Sequence, residues 1–475
     1  MANNLRVENL SIYFGQQVLV NAVSFVVKAG TPFTLLGRSG AGKSIILHAI
    51  MGSLAPELTV RGHIFLGDLD LLTLTPEERR QLWGKQIALL PQEPWHALDP
   101  TRKGGKQIYD VFRWVRNFSG KDAKSETTKT LEPLGLAEYQ NHYPCQLSGG
   151  MCQRISVAMA HAANAEILLA DEPTKGLDDA YRDEVATGLK REAGAEKILL
   201  TITHDIDLAK QIGGDIAILH EGKIVELAPA AMLLNSPKHP FTCELLSAKA
   251  SQWISRKKTH TTDWLLKAEH LSYTLGNRPL FTDISLVLRP GQITALTGPS
   301  GCGKTTLGNL LIGLRPLQQG VLTRDPTLGA LSIQKLYQDP PSAFIPNIAL
   351  HILFNDLLVR HKIPRSELSQ LLPLLGLSEQ LLQQTAANVS GGELQRLALA
   401  RTLLLKPRLL FADEATSRLD PHSQEQIMRL LCAWTDEHGM SLLMVSHDTA
   451  LVNKVADQVI ALTERNNPVL VNEST

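Results

Sequence analysis

The sequence contains no run of about 18 apolar residues, the length a bilayer-crossing helix needs, so no segment is expected to span a membrane. Cysteine is scarce: Cys145, Cys152, Cys243, Cys302 and Cys432 are odd in number and lack the CxxC spacing of zinc or redox sites, which points to reduced thiols. Net charge is missing as well. With 47 basic residues against 47 acidic ones, the chain lacks the basic footprint of non-specific nucleic-acid binding, and no nucleic-acid partner is expected. The start, MANNLRVENL, has no basic segment followed by an apolar stretch, so no secretory signal is expected. What remains is the composition of an ordinary globular protein, 44% hydrophobic and 20% charged over 475 residues. That length exceeds the roughly 250 to 300 residues at which single cores stop growing, so at least two domains are expected.

The chain repeats itself once, in the same order. GRSGAGKS (Gly37 to Ser44) returns as GPSGCGKT (Gly298 to Thr305), and LSGGMCQR (Leu147 to Arg154) as VSGGELQR (Val389 to Arg396). ILLADEP (Ile167 to Pro173) returns as LLFADEA (Leu409 to Ala415), and ITHD (Ile202 to Asp205) as VSHD (Val445 to Asp448). Lys43 and Lys304 lie 261 residues apart, whereas Ser148 and Ser390 lie 242 apart, so the second copy is shortened between its GK motif and Gln338. The polar and basic stretch from Ser247 to Trp264 lacks periodicity and reads as a connection. Domains are expected at 1–250 and 265–475, with 251–264 as the linker. Short apolar runs before the motifs, FTLLG, ITALTG, ILLAD and LLFAD, alternate with longer amphipathic segments, the pattern of buried parallel strands with crossover helices.

GxxxxGK[ST] after a strand builds a phosphate cradle: glycines let backbone N–H groups curl around the phosphates, and the next helix presents its positive end. Gly37, Ser39, Gly40, Gly42, Lys43 and Ser44 form one such loop, and Gly298, Ser300, Gly301, Gly303, Lys304 and Thr305 the other. The lysines are expected to reach the β- and γ-phosphates of ATP, and the Ser44 and Thr305 hydroxyls to coordinate Mg2+. Asp171 and Asp413, ending apolar strands, become the magnesium-orienting carboxylates. Glu172 and Glu414 follow directly and point elsewhere at a strand end, which makes each a candidate general base toward water.

These motifs resemble the ABC ATPase family over nearly the whole chain, twice. The resemblance implies an α/β fold of two tandem P-loop NTPase domains, each with a RecA-like core, an antiparallel β subdomain and a helical signature subdomain. It implies that Ser148, Gly149 and Gly150, and likewise Ser390, Gly391 and Gly392, form the signature that closes over the γ-phosphate held by the opposite domain, in an intramolecular head-to-tail dimer with two composite ATP sites. By the same resemblance His204 and His447 are switch histidines, and Gln92 and Gln338 are Q-loop residues near the metal and the attacking water. Asp178 and Asp420 occupy the position that faces the other half. Phe14, 29 residues before Lys43, stands where the family stacks an aromatic on adenine; the same offset in the second half gives Leu275, with Tyr273 the nearby aromatic.

NSPKHPFTCELLSA (Asn235 to Ala248), QEPWHALDP (Gln92 to Pro100) and QDPPSAFIP (Gln338 to Pro346) resemble the dipeptide, oligopeptide and nickel importer branch. This resemblance implies an ATP-hydrolysing motor at the cytoplasmic face of the inner membrane. Its implied partners are two integral-membrane permease subunits and a substrate-binding protein. The two halves look like different partner ATPases fused in one chain. DEATSRLD in the second half and the absence of a four-cysteine tail favour nickel or metal-chelate cargo, with peptides next; an exporter motor and a ribosome-associated twin factor are the rival classes. Trp95 and Phe344 are candidate grips for a permease helix, with core contacts as the alternative.

Overall fold

The computed structural model describes residues 4–38, 40–92, 97–147, 149–174, 179–194, 197–248, 250, 253–259, 261–276, 278–299, 301–337, 343–416, 419–463 and 469–470. The chain divides into two compact units, Met1–Ser247 and Ala248–Thr475.

In the first unit, β1 (Leu5–Phe14) pairs antiparallel with β2 (Gln17–Val27) and with β4 (Leu58–Leu66), and β5 (Leu69–Asp70) extends this sheet. The second sheet runs in the order β10-β9-β3-β8-β7-β6, from β3 (Phe33–Leu36), β6 (Ile87–Leu90), β7 (Ile167–Asp171), β8 (Ile198–Thr203), β9 (Asp215–His220) and β10 (Lys223–Pro229). Its members pair in parallel except β10, which is antiparallel to β9. β3, β7 and β8 are buried along their whole length. That is why their sequences read as continuous apolar runs: a parallel sheet covered on both faces has no wet side. A separate helical cluster joins Ile108, Phe112, Ala123 and Leu131 to Cys152 and Ile155 of helix Gly149–Ala163.

The second unit repeats this plan with β11 (Leu266–Leu275), β12 (Arg278–Leu288) and β14 (Gln319–Arg324) as the antiparallel sheet. The other sheet runs β15-β16-β17-β13-β18-β19, from β13 (Ile293–Thr297), β15 (Ile333–Leu336), β16 (Leu409–Asp413), β17 (Ser441–Val445), β18 (Gln458–Ala461) and β19 (Val469–Leu470). Only eight residues separate β14 from β15, whereas 20 separate β4 from β6, where the first unit inserts β5 and helix Pro76–Leu82. That is the segment the second copy lost.

The copies fill one core position in opposite ways. Gly308, in helix Lys304–Leu311, packs so closely on Phe411 of β16 that an added Cβ would lie 2.1 Å from the ring. The matching residues in the first unit are Leu47 and Leu169, both fully buried. A ring against no side chain in one unit stands where two leucines meet in the other, so each pair is matched within its own core.

The stretch expected as a linker is not loose where it is described. Trp253 is buried in the second unit's core, and the buried Arg256 pairs with Asp436 and Asp457. Asp457 also accepts the N–H groups of Thr259 (2.8 Å) and Ile293 (2.7 Å). A polar, basic segment thus forms an ion-paired strap of the second unit.

Candidate functional site

Both GK loops end in a glycine that only a left-handed backbone can place: φ is +100° at Gly42 and +104° at Gly303, each capping the helix that follows. Helix Lys43–Met51 starts at Lys43, whose ammonium donates to the carbonyls of Gly37 (2.7 Å) and Arg38 (2.9 Å). Lys304 donates likewise to Gly298 (2.8 Å) and Pro299 (2.9 Å). Gly40 and Gly301 share positive φ values of 79° and 78° in the two loops.

The next residue reaches the strand-end carboxylate. Ser44 Oγ donates to Asp171 Oδ1 at 3.2 Å, and Thr305 Oγ1 to Asp413 Oδ1 at 2.8 Å. Burial pushes the Asp171 carboxyl above the ordinary carboxylate range; the Ser44 hydrogen bond opposes this shift and the neighbouring Glu172 charge adds to it. Among the described residues no cluster of three His, Cys, Asp or Glu side chains could cage a metal. The hydroxyl and carboxylate oxygens side by side are the hard donors that fit Mg2+, an ion that takes one or two protein oxygens together with phosphate and water.

Glu172 and Glu414 adopt positive φ, 48° and 50°, a conformation that costs a non-glycine residue on the order of 1 kcal/mol or more. Glu172 is held by three donors or partners: Thr203 Oγ1 (3.0 Å), the His204 N–H (3.3 Å) and His204 Nδ1 (2.8 Å). In the second unit His447 Nε2 lies 2.9 Å from Glu414 Oε1. The last strand of each motif series thus brings its histidine onto the glutamate rather than leaving it as an isolated strand-end residue.

Helix Gly149–Ala163 begins at Gly149 and Gly150, and helix Gly391–Leu403 at Gly391 and Gly392. Ser390 caps the latter in a reciprocal box with Glu393, whose counterpart in the first unit is Met151. Two residues missed by sequence reasoning tie these helices to the strand ends: Gln153 donates to the Pro173 carbonyl, and Gln395 to that of Ala415. The signal was present, since SGGxxQR carries that glutamine in both copies. The Arg38 side chain was missed as well. It pairs with Glu244 at 2.7 Å and lies over the Phe241 ring, so the helix Pro240–Ser247 within the importer-like tail touches the first GK loop.

Gln92 sits just beyond β6, partly buried. Ser39, Ser148, Ser300, Gln338, Trp95 and Asp178 lie outside the described residues. One expectation is corrected. Tyr273 is buried, stacked on Phe281 and bonded through its hydroxyl to Arg315, so it offers no face to an adenine; Leu275 is 55% exposed, as is Phe14. Phe344 is a core residue under the Arg401 guanidinium, the alternative to a surface grip. Asp420 is buried and caps helix Pro421–His438 by accepting from Ser423.

Two phosphate loops, each with an adjoining Ser/Thr–Asp pair and a strand-end Glu–His pair, define a tandem P-loop ATPase. The chain belongs to the ABC transporter family, whose model, described as "ABC transporter", matches residues 20–175 and again 281–417. As a member of this class it is an ATPase coupled to transport. It is 32% identical to the ABC transporter ATP-binding protein YejF of Escherichia coli, over 97% of this chain and 94% of that one. It is 29% identical to the glutathione import ATP-binding protein GsiA of Pectobacterium atrosepticum (96% and 84% covered) and 30% identical to the peptidoglycan transport ATP-binding protein YejF of Agrobacterium fabrum (96% and 90%). Among solved structures, RNase-L Inhibitor matches with a TM-score of 0.65 and 20% identity, covering 96% of this chain and 88% of that one. A model of ribosome-bound archaeal Pelota and ABCE1 matches with a TM-score of 0.68 and 20% identity, covering 96% and 76%. At such identities the likeness speaks to the fold alone. No helix among the described residues is long and apolar enough to cross a membrane.

Proposed function

We propose that this chain is the ATP-hydrolysing motor of an importer for small peptides or peptide-like compounds, working beneath two permease subunits at the cytoplasmic face of the membrane with a substrate-binding protein outside. The observation that carries this reading is likeness along nearly the whole chain to ATP-binding proteins named for glutathione import and for peptidoglycan transport. These names draw the cargo from nickel, which the DEATSRLD variant favoured, toward peptides.

In this reading Lys43 and Lys304 bind the β- and γ-phosphates, and Ser44 with Asp171, and Thr305 with Asp413, hold Mg2+ near Gln92 and Gln338. When bound, the metal neutralises charge that develops on the transferred phosphoryl group. Glu172 and Glu414 accept the proton of the attacking water. His204 and His447 keep those carboxylates aimed and meet the γ-phosphate. Ser148 to Gly150 complete the site built on Lys304, and Ser390 to Gly392 the site built on Lys43, so that ATP draws the two halves together and hydrolysis releases them. Phe14 stacks on the adenine of the first site.

The test is an uptake comparison in cells deleted for this gene and complemented with the wild-type chain or with Lys43→Ala/Lys304→Ala. Loss of labelled glutathione or dipeptide uptake with nickel uptake intact is expected; the reverse pattern reassigns the cargo, and loss of neither rejects import of both.

A further inference from the structure

The two metal-binding corners differ by one buried charge. In the second unit Lys335 Nζ lies 3.0 Å from Asp413 Oδ2 and 2.9 Å from Asn309 Oδ1. The lysine and aspartate side chains are 9% and 5% exposed, and the ammonium sits 5.0 Å from the ring centroids of both Tyr337 and Phe411. The carboxylate that Thr305 engages through Oδ1 is therefore engaged through Oδ2 by a fixed cation.

Among the described residues the first unit has no lysine at the matching register position. Lys335 pairs in register with Phe411, two residues before Asp413; the residue paired with Leu169, two before Asp171, is Leu89. The counterpart of Asn309, five residues after the GK lysine, is His48, whose Nδ1 faces Ser53 at 2.8 Å. Two rings and an amide oxygen stabilise the ammonium where it is, so it is not a side chain that a divalent ion displaces at no cost.

Resting on the reading of Asp171 and Asp413 as the magnesium carboxylates, we propose that Lys335 is a built-in counter-cation of the second site, so that this site holds its divalent metal more weakly than the first. A second cation on the same carboxylate meets like-charge repulsion in a partly desolvated corner, where charges are poorly screened. The two ATP sites of one chain then fill with metal at different magnesium concentrations, and the first site engages first.

The experiment uses the full chain with a non-hydrolysable ATP analogue and titrates Mn2+, read by electron paramagnetic resonance. The wild type is expected to show two classes of bound manganese whose dissociation constants differ at least tenfold, equivalent to about 1.4 kcal/mol. Lys335→Met, or Lys335→Gln where the first variant folds poorly, brings the weak class to the tight value. A single class in the wild type, or two classes left within twofold of their original constants by both Lys335 variants, overturns the inference. Asp171→Asn and Asp413→Asn separate it from the reading beneath it: if neither removes a class of manganese site, the magnesium assignment itself fails, and if each removes one while Lys335 has no effect, only the role of Lys335 fails.

Discussion

Replacing Glu172 and Glu414 by glutamine tests the hydrolytic assignment most directly, because the structure separates its chemical cost from its folding cost. Glu172 Oε2 accepts from the Thr203 hydroxyl and the His204 N–H, while Oε1 faces His204 Nδ1. A glutamine can keep its carbonyl oxygen on the first two donors and turn its amide toward the imidazole, which accepts in its neutral form. With the contacts preserved, a stability change below about 1 kcal/mol is expected, near the net worth of one hydrogen bond. The amide cannot take a proton from water, and loss of a general base lowers rates by about 10²- to 10⁴-fold, or roughly 2.7 to 5.4 kcal/mol of barrier. Phosphate release by the full-length double variant, together with its thermal melt and nucleotide binding, measures all three quantities. The expected outcome is turnover reduced at least about a hundredfold with folding and ATP binding retained. A double variant that turns over at more than a tenth of the wild-type rate refutes the base assignment.

Phe14→Ala should weaken nucleotide binding at the first site by about tenfold, within the roughly 1 to 3 kcal/mol that base stacking on an aromatic contributes. Leu275→Ala should change fluorescent-nucleotide titrations less than twofold, and equal losses would remove Phe14 as an adenine platform. Gly308→Leu alone should cost about 3 kcal/mol through overpacking and Phe411→Leu alone about 1 to 2, while the double variant recovers at least about 2 of the sum. Hydrogen exchange of the β16 amides reads this coupling, and strictly additive costs reject it. Glu192 is partly buried, which alone would raise its pKa, but hydrogen bonds from His161 and Lys197 outweigh burial and hold it near about 2. A depressed carboxylate contributes stability that is complete above the unfolded value of 4.5 and is lost as pH falls toward about 2. Glu192→Gln should therefore cost about 1 to 2 kcal/mol at neutral pH, after allowance for solvent screening, and progressively less in acid. A urea-unfolding difference that does not vary with pH contradicts the assignment.

The groupings legible in the sequence were those encoded by local strings: the GK loops, the strand-end Asp–Glu pairs and the histidines that meet the glutamates. What distance in sequence hides is pairing. Arg256 belongs to the second unit because of Asp436 and Asp457, about two hundred residues away, and without them its surroundings read as a connection. Lys335 gains its meaning from the register of β15 on β16, which no local pattern reveals. Tyr273 was misplaced because register shifts flank it in the pairing of β11 with β12, so spacing from Leu275 does not carry over to exposure. Phe344 follows a loop motif yet turns inward beneath Arg401. The left-handed backbone of Glu172 and Glu414 leaves no mark in the sequence, since a glutamate there resembles any other.

The exchanged volumes at Gly308–Phe411 and Leu47–Leu169 bear on how such a gene persists. Two similar halves on one reading frame invite recombination that copies a stretch of one over the other. A tract carrying only the GK helix would press a leucine into the Phe411 ring, and a tract carrying only the Asp–Glu strand would press that ring against Leu47. In either case a close-packed core is overfilled, at a cost of about 1 to 3 kcal/mol. Tracts that move the helix and the strand together avoid this cost, so the interlocked pair weighs against short exchanges that bring in the larger side chain.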